Sequence, residues 1–264
     1  MMKAMWTAAS GMQGLQLKVD TISNNLANVN TTGFKSQRIE FKDLLYDQLS
    51  ESTFVDGEGK PVPLEIGHGV MSVATLRSFA QGNMQSTENE LDFAINGDGF
   101  FVVTDNRGNE IYTRDGSFKL SVNDATSSLV TSDGFYVQGT DGNIELGENV
   151  EKVEVDYDGN ILVTRSGEET AENVGTLRIV KFPNPAGLES IGKNFYTETE
   201  ASGTLSENES GSSGEVWQGY IESSNVSVVE EMVNLITAQR AYEINSKSVQ
   251  TADRLLEVAN NLKR

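Results

Sequence analysis

VVEEMVNLITAQRAYEINSKSVQTADRLLEVANNLKR, residues 228–264, is the stretch that decides the fold. Val228, Leu235, Tyr242, Val249 and Leu256 stand seven apart, and three places after each come Glu231, Ala238, Asn245, Ala252 and Ala259. A sevenfold repeat with one large and one mostly small column is the seam of a helix that packs closely on another helix. Neither Gly nor Pro interrupts these 37 residues, and Ser223, Ser224 or Asn225 is available as an N-cap. The spacing predicts one long helix from about Val228 to the C-terminus.

The other end of the chain carries a matching pattern. Met5, Ala8, Met12, Leu15, Val19, Ile22, Leu26 and Val29 recur at alternating steps of three and four, the signal of a second seam. Gly11 and Gly14 interrupt it, each costing about 1 kcal/mol relative to Ala inside a helix. Such a helix is marginal alone and needs a partner surface. Asn30-Thr31-Thr32-Gly33 then supplies a polar stop with a Gly for a left-handed cap. The pattern leaves open whether the two ends pair within one molecule or between molecules. A long apolar heptad at each end of one chain reads as an assembly device.

Between the ends the period falls to two. Leu91/Phe93/Ile95, Phe118/Leu120/Val122, Val153/Val155/Tyr157 and Ile161/Val163 alternate with polar neighbours, as half-buried strands do. Asp-Gly pairs at Asp56-Gly57, Asp98-Gly99, Asp115-Gly116, Asp133-Gly134, Asp141-Gly142 and Asp158-Gly159 supply hairpin turns. The expected fold is α+β: discontinuous helical N- and C-terminal segments form a coiled-coil-like domain, and an antiparallel β-rich domain is inserted between them. The expected divisions are 1–45 (N-terminal helix and extension), 46–69 (a loop or β-extension), 70–214 (the β-rich domain) and 215–264 (the C-terminal segment and long helix). Ser50 to Pro63 and the Ser/Glu/Gly-rich stretch Thr199 to Gly214 read as loops.

The composition excludes several kinds of chemistry. The 264 residues carry 20 Lys+Arg against 39 Asp+Glu, a net charge of −19. That balance repels nucleic acid and anionic lipid. There is no Cys, so disulfides, thiolate metal sites and Cys nucleophiles are absent; one His, His68, leaves no basis for a His-based metal site or triad. The acidity is uneven. Residues 1–45 hold five basic and three acidic side chains and residues 228–264 hold five of each, so the middle carries −21. Near-neutral ends can crowd together while an acidic middle stays solvated. No apolar run is long enough to span a membrane. The apolar start Met1-Met2-Lys3-Ala4-Met5-Trp6 breaks up at Ser10, Gly11 and Gln13 before it becomes a signal-peptide core.

Tempting motifs dissolve on inspection. Gly187-Leu188-Glu189-Ser190-Ile191-Gly192-Lys193-Asn194 approaches a phosphate-binding loop, but Asn194 replaces the Mg²⁺-binding hydroxyl and a strand-like Phe195-Tyr196-Thr197 follows where a helix is required. Asp156-Tyr157-Asp158-Gly159-Asn160 opens like a calcium loop, yet Ile161 and Gly167 occupy the positions that need Gly and Glu. Both read as turns between strands. Trp6, Trp217 and the tyrosines could line a sugar cleft, but no carboxylate pair stands out beside them. No catalytic residue, metal ligand or cofactor-binding residue is assigned, and the chain does not read as an enzyme.

Ser23-Asn24-Asn25-Leu26-Ala27-Asn28-Val29-Asn30-Thr31-Thr32-Gly33-Phe34-Lys35 closely resembles the N-terminal signature of the bacterial flagellar rod and hook family of axial proteins. Ser224-Asn225-Val226 through Glu230-Glu231-Met232-Val233-Asn234-Leu235-Ile236 to Gln239-Arg240-Ala241-Tyr242-Glu243 resembles that family's C-terminal signature. Arg114-Asp115-Gly116-Ser117-Phe118, Gly187 to Gly192 and Gln218-Gly219-Tyr220-Ile221-Glu222 are similar to the distal-rod branch. The resemblance thins at Ser50 to Pro63, Asn123 to Ser128 and Thr199 to Gly214.

The resemblance implies a structural subunit that polymerises into a hollow helical drive shaft carrying motor torque to the hook. It implies an inner layer of terminal helices, β domains outside, and an extension around Tyr46 to Ile66 that stiffens packing between subunits. Export through the flagellar type III apparatus without a cleaved leader, and a place in the basal body where the rod crosses the periplasm, follow from it. So do contacts with further copies, proximal rod and hook or hook-junction subunits, the rod cap and bushing rings, with no cofactor. In that setting Met5, Met12, Leu15, Val19, Ile22, Leu26 and Val29 are expected to pack against Val228, Leu235, Tyr242, Val249 and Leu256. Asn24, Asn25, Leu26, Ala27, Asn28, Thr32, Gly33, Phe34 and Lys35 form the signature, with the asparagine amides satisfying polar groups in a crowded layer and Asn28 also suited to capping a helix end. The alternatives are another axial subunit of proximal rod or hook type, and a secreted β-domain adhesin or carbohydrate-acting protein.

Overall fold

A computed structural model describes residues 2–50, 54–55, 58–59, 64–123, 126–148, 150–166, 170–207 and 214–262. Asp56-Gly57, most of Ser50 to Pro63 and the 208–213 part of the Ser/Glu/Gly-rich stretch lie outside the described residues. The chain divides into two compact units: Met1–Ala27 with Gln37–Arg77 and Ser227–Arg264, and Asn28–Ser36 with Ser78–Val226. These units follow packing and cut the chain elsewhere than the expected divisions at 45, 69 and 214.

The first unit holds both terminal helices, α1 (Met2–Ala27) and α2 (Val228–Asn261). They pack against each other. Asn25 meets Glu231, and Gly11 lies beside Asn245. Both contacts advance by the same fourteen residues, forward on α1 and backward on α2, so the helices run antiparallel in a fixed register. A ribbon of four strands, β1 (Gln37–Asp43), β2 (Tyr46–Ser50), β3 (Leu64–Gly67) and β4 (Val70–Arg77), folds back on itself, with β1 paired to β4 and β2 to β3. It is tied to α1 where the Val70 amide donates to Ser10 Oγ at 3.4 Å and where Lys3 pairs with Asp47.

The glycines in α1 now have a reason. Gly14 is buried, and a Cβ there would sit 3.0 Å from the Phe41 ring; at Gly11 it would sit 3.1 Å from the Asn245 amide. The lost helix propensity is exchanged for close approach of the ribbon on one side and α2 on the other.

The second unit is antiparallel β throughout its described pairings. Its main sheet runs β9 (Lys119–Asn123), β10 (Thr126–Val130), β11 (Tyr136–Gly139), β7 (Phe100–Thr104), β8 (Glu110–Thr113), β17 (Phe195–Thr197) and β16 (Glu189–Gly192), with β15 (Ile179–Lys181) also on β7. Three strands, β12 (Val150–Val155), β13 (Asn160–Arg165) and β14 (Glu172–Thr176), form a separate sheet. The C-terminal segment pairs into the unit: β18 (Glu215–Gln218) with β6 (Phe93–Asn96), and β19 (Tyr220–Glu222) with β5 (Met84–Ser86).

Phe-Phe-Val-Val at the start of β7 is an unbroken apolar run because its two faces enter different cores. Phe101 and Val103 pack with Phe93, Phe118 and Leu129, while Phe100 and Val102 pack with Tyr112, Phe182 and Tyr196. Period-two reading finds half-buried strands and passes over one buried on both faces. It also overextends at edges. Phe118 is in the core, but Leu120 and Val122 are exposed because β9 ends the sheet, and Tyr157 is exposed on a turn.

The two near-miss motifs are turns. Gly159 N–H donates to the Asp156 carbonyl at 2.8 Å between β12 and β13, and Lys193 and Asn194, both with positive φ, turn β16 into β17.

Phe101 is fully buried and stands edge-on to Phe118 with ring centroids 5.2 Å apart. Phe101→Ala is expected to destabilise the second unit by about 3–5 kcal/mol, read as a lower denaturant midpoint of the β-sheet transition at unchanged slope.

Candidate functional site: the helix seam and a buried charge cluster

The seam belongs to the first unit. Of the residues expected there from α1, Ile22 is buried and Met5, Met12, Leu15, Val19 and Leu26 are half-buried. From α2, Leu235, Val249 and Leu256 are half-buried, while Val228 and Tyr242 keep about two-fifths of their surface. The small column is the better covered: Ala238 is buried, and Asn245 and Ala252 are half-buried. Small side chains let the helix backbones approach, which leaves the larger column flanking the contact line. Val29 lies beyond the end of α1, in the second unit.

The remaining face of α2 is also apolar. Val229, Val233, Ile236, Ile244, Leu255 and Val258 recur at helical spacing, each with more than half its surface exposed. At 100° per residue this stripe lies opposite the column of Glu231, Ala238 and Asn245. One long helix therefore presents two apolar faces, only one of them covered by α1.

Asn25 is the polar pin of the seam, only 1% exposed. Its Oδ1 accepts the Gln37 amide at 2.9 Å, while its Nδ2 donates to the Gln37 carbonyl at 2.8 Å and to Glu231 Oε1 at 3.3 Å. One side chain thus joins α1, β1 and α2. Asn24 is exposed on the outer surface of α1, beside a groove bordered by β1 and β4. Asn28 Oδ1 accepts the Thr31 hydroxyl at 3.2 Å, a local turn contact just past the helix end. Leu26 and Ala27 close α1.

The rest of the signature builds a different structure, in the second unit. Gly33 has φ 66°, and a Cβ there would lie 2.8 Å from the Asp115 amide, so no larger residue fits. Its N–H donates to the Glu222 carbonyl at 2.8 Å, and the Thr32 carbonyl accepts from Asn194. Phe34 is buried. Lys35 is fully buried, with Nζ 2.6 Å from Glu222 Oε1 and 2.9 Å from the Ala80 carbonyl. Arg114 reaches the other carboxylate oxygen at 3.2 Å, donates to the Gly97 carbonyl at 2.8 Å, and lies over the Phe100 ring. The Gly82 amide completes the shell at 2.7 Å from Glu222 Oε1.

Two buried cations thus share one buried carboxylate. Burial lowers the proton affinity of both Lys35 and Arg114, while the Glu222 charge pulls each back towards the ionised form. Asn225 extends the network, accepting the Ser36 amide and donating to the Ser78 and Ala80 carbonyls. Lys35, Arg114 and Glu222 stand in three separate motifs that no local pattern joins, since the two cations lie 187 and 108 positions from the carboxylate. A lysine, an arginine and a glutamate each standing in an otherwise apolar or glycine-rich motif was the available signal.

Among the described residues no group of His, Cys, Asp or Glu is placed to hold a metal ion, and no helix is long and apolar enough to cross a membrane. Paired terminal helices with an unfilled apolar face, joined to an antiparallel β unit, define a structural assembly protein. Family models match at three places: a flagella basal body rod protein model over residues 5–35, a flagellar hook protein FlgE/F/G D1 domain model over 94–163, and a flagellar basal body rod FlgEFG protein C-terminal model over 218–262. The flagellar basal-body rod protein FlgG of Borreliella burgdorferi is 46% identical over the full length of both chains. FlgG of Buchnera aphidicola subsp. Acyrthosiphon pisum is 42% identical over 99% of this chain and all of its own, and FlgG of Bacillus subtilis 36% identical over all of both. The chain belongs to the FlgG family of flagellar basal-body rod proteins. It is a structural subunit of the distal rod and not an enzyme.

Removing the carboxylate between two buried cations leaves them uncompensated. Glu222→Gln is expected to destabilise the second unit by about 3–5 kcal/mol, measured by chemical denaturation. Glu154→Gln, at an exposed ion pair with Lys152, should cost about 1 kcal/mol or less.

Proposed function

We propose that this subunit polymerises through α1 and α2 into the wall of a hollow helical shaft that carries torque towards the hook. The observation that supports this reading is the second apolar face of α2. A helix with apolar stripes on opposite faces is stable only when both are covered, and α1 covers one. A second copy of the chain is the occupant that fits, because residues 228–264 hold five basic and five acidic side chains and crowd against like segments without accumulating net repulsion. Met2 and Trp6, exposed on α1, extend the available apolar surface.

In this arrangement residues 1–45 and 215–264 supply the inner assembly segments, 46–69 the extension between layers and 70–214 the bulk of the outer domain. The acidic middle then faces solvent. The seam residues Met5, Met12, Leu15, Val19, Ile22 and Leu26, with Val228, Leu235, Tyr242, Val249 and Leu256, act within and between subunits. Proximal rod subunits, hook or hook-junction subunits, the rod cap and the bushing rings are the proposed neighbours. Delivery by the flagellar type III apparatus agrees with an N-terminal helix that gains stability only on packing.

Two substitutions separate the faces. Leu235→Asp is expected to disrupt the α1–α2 pair and abolish polymers. Ile236→Asp, on the open face, is expected to keep the pair, seen as unchanged helix content, and still abolish polymers. Electron microscopy of the purified proteins reads the outcome: narrow-lumen tubes from Ile236→Asp would overturn the assignment of the open face. In the source organism, deletion of the gene should leave basal bodies without a hook.

A further inference from the structure

Glu231 is an anomaly in the seam. Its column is otherwise small or amide-bearing, yet this position carries a carboxyl. Oε1 accepts the Asn25 amide, at 3.3 Å, but Oε2 is buried and has no hydrogen-bond partner among the described residues. Asn25 cannot turn to serve it, because the rest of its amide is committed to both backbone groups of Gln37. An ionised carboxylate wants several donors, and this one finds a single shared one.

The surroundings offer little compensation. From α1, Lys18 is the facing cation, and it pulls towards the ionised form only weakly. From α2, Glu230 adjoins and pushes the other way. From β1 the neighbour is Gln37, which is uncharged; Arg38 is exposed beside Glu40, and Arg77 of β4 stands opposite Gln37 in register. The position in the first turn of α2 favours the anion about two- to fivefold through the helix dipole. Burial outweighs these and holds the Glu231 carboxyl above the usual glutamate range.

We propose that Glu231 is a proton-operated clasp on the α1–α2 seam: protonated, it lets the helices close, and ionised, it loosens them. The neutral acid keeps the hydrogen bond from Asn25 and removes the charge that lacks donors. The sign follows from linkage. A carboxyl that binds its proton more tightly in the packed seam than in the open chain gives stability fully present below its open-chain pKa and lost as pH rises through its packed value. Helix pairing is therefore tighter under mildly acidic conditions. The consequence for growth of a polymer rests on the assembly reading above; the clasp itself does not.

The test uses the full-length protein, its Glu231→Gln variant, and Glu230→Gln as a neighbouring control. Thermal unfolding of the helix signal is followed by far-ultraviolet circular dichroism from about pH 4 to about pH 8, and the Glu231 carboxyl is titrated directly by carbon-13 NMR. Between the open-chain and packed pKa values, the seam-opening constant of the native protein should rise up to about tenfold per pH unit. Glu231→Gln should hold its acid-level stability across the range, and Glu230→Gln should keep the native slope. A Glu231→Gln profile with the native slope, or a carboxyl titrating at or below the ordinary 4.5, overturns the proposal. If the variant fails to fold, the direct titration decides. Sedimentation over the same pH series separates the two readings: a seam that responds to pH in a protein that never polymerises supports the clasp and rejects the assembly reading.

Discussion

The second unit depends on a single carboxylate. Glu222 sits between Lys35 and Arg114, all three almost completely excluded from water. Burying these charges separately would be prohibitive, and together they are tolerable because they neutralise and hydrogen-bond one another. The Gly82 amide and the Ala80 and Gly97 carbonyls add partners, while Arg114 Nε has none among the described residues. The cluster brings a residue near the N-terminus, a loop in the main sheet and a strand near the C-terminus to one point. The β unit is thus not a self-contained insertion between two tails. It incorporates the segment after α1 and the segment before α2, and both ends must be present for it to close.

The first unit is held by shape more than by charge. Gly11, Gly14 and Ala238 remove side-chain bulk where α1, β1 and α2 approach one another, and Asn25 satisfies the polar groups that such close approach would strand. The cost in helix propensity at the two glycines is about 2 kcal/mol together. Packing against the partner elements offsets it, and it is uncompensated whenever they are absent. A terminal helix built this way is ordered by its neighbours. In the assembly proposed above, the bare outer stripe on α2 extends the same dependence to a further copy.

Much of this was legible in the chain. The heptad at Val228, Leu235, Tyr242, Val249 and Leu256 fixes a long helix because periodicity is a local property, and Asp133-Gly134, Asp141-Gly142 and Asp158-Gly159 fix hairpins because turn geometry is local too, whereas Asp98-Gly99 and Asp115-Gly116 join strands that pair elsewhere. Two flanking motifs in the right order carried the family. Less was legible where burial depends on distant chain. β7 was missed because both of its faces are covered, and Leu120 and Val122 were placed inward because alternation cannot tell a sheet's centre from its edge. The glycines in α1 read as defects until their neighbours were known.

The sequence by itself determined the elements, the order in which they occur, and the near-neutral ends around an acidic middle, since each follows from spacing or composition along the chain. Only the tertiary structure decided the partners: the antiparallel register that sets Asn25 against Glu231, the small column that takes the contact line, and the meeting of Lys35, Arg114 and Glu222. Partner choice is a matter of distance between residues far apart in sequence. No local pattern encodes that distance, because it is fixed by how the sheets twist and close around buried side chains.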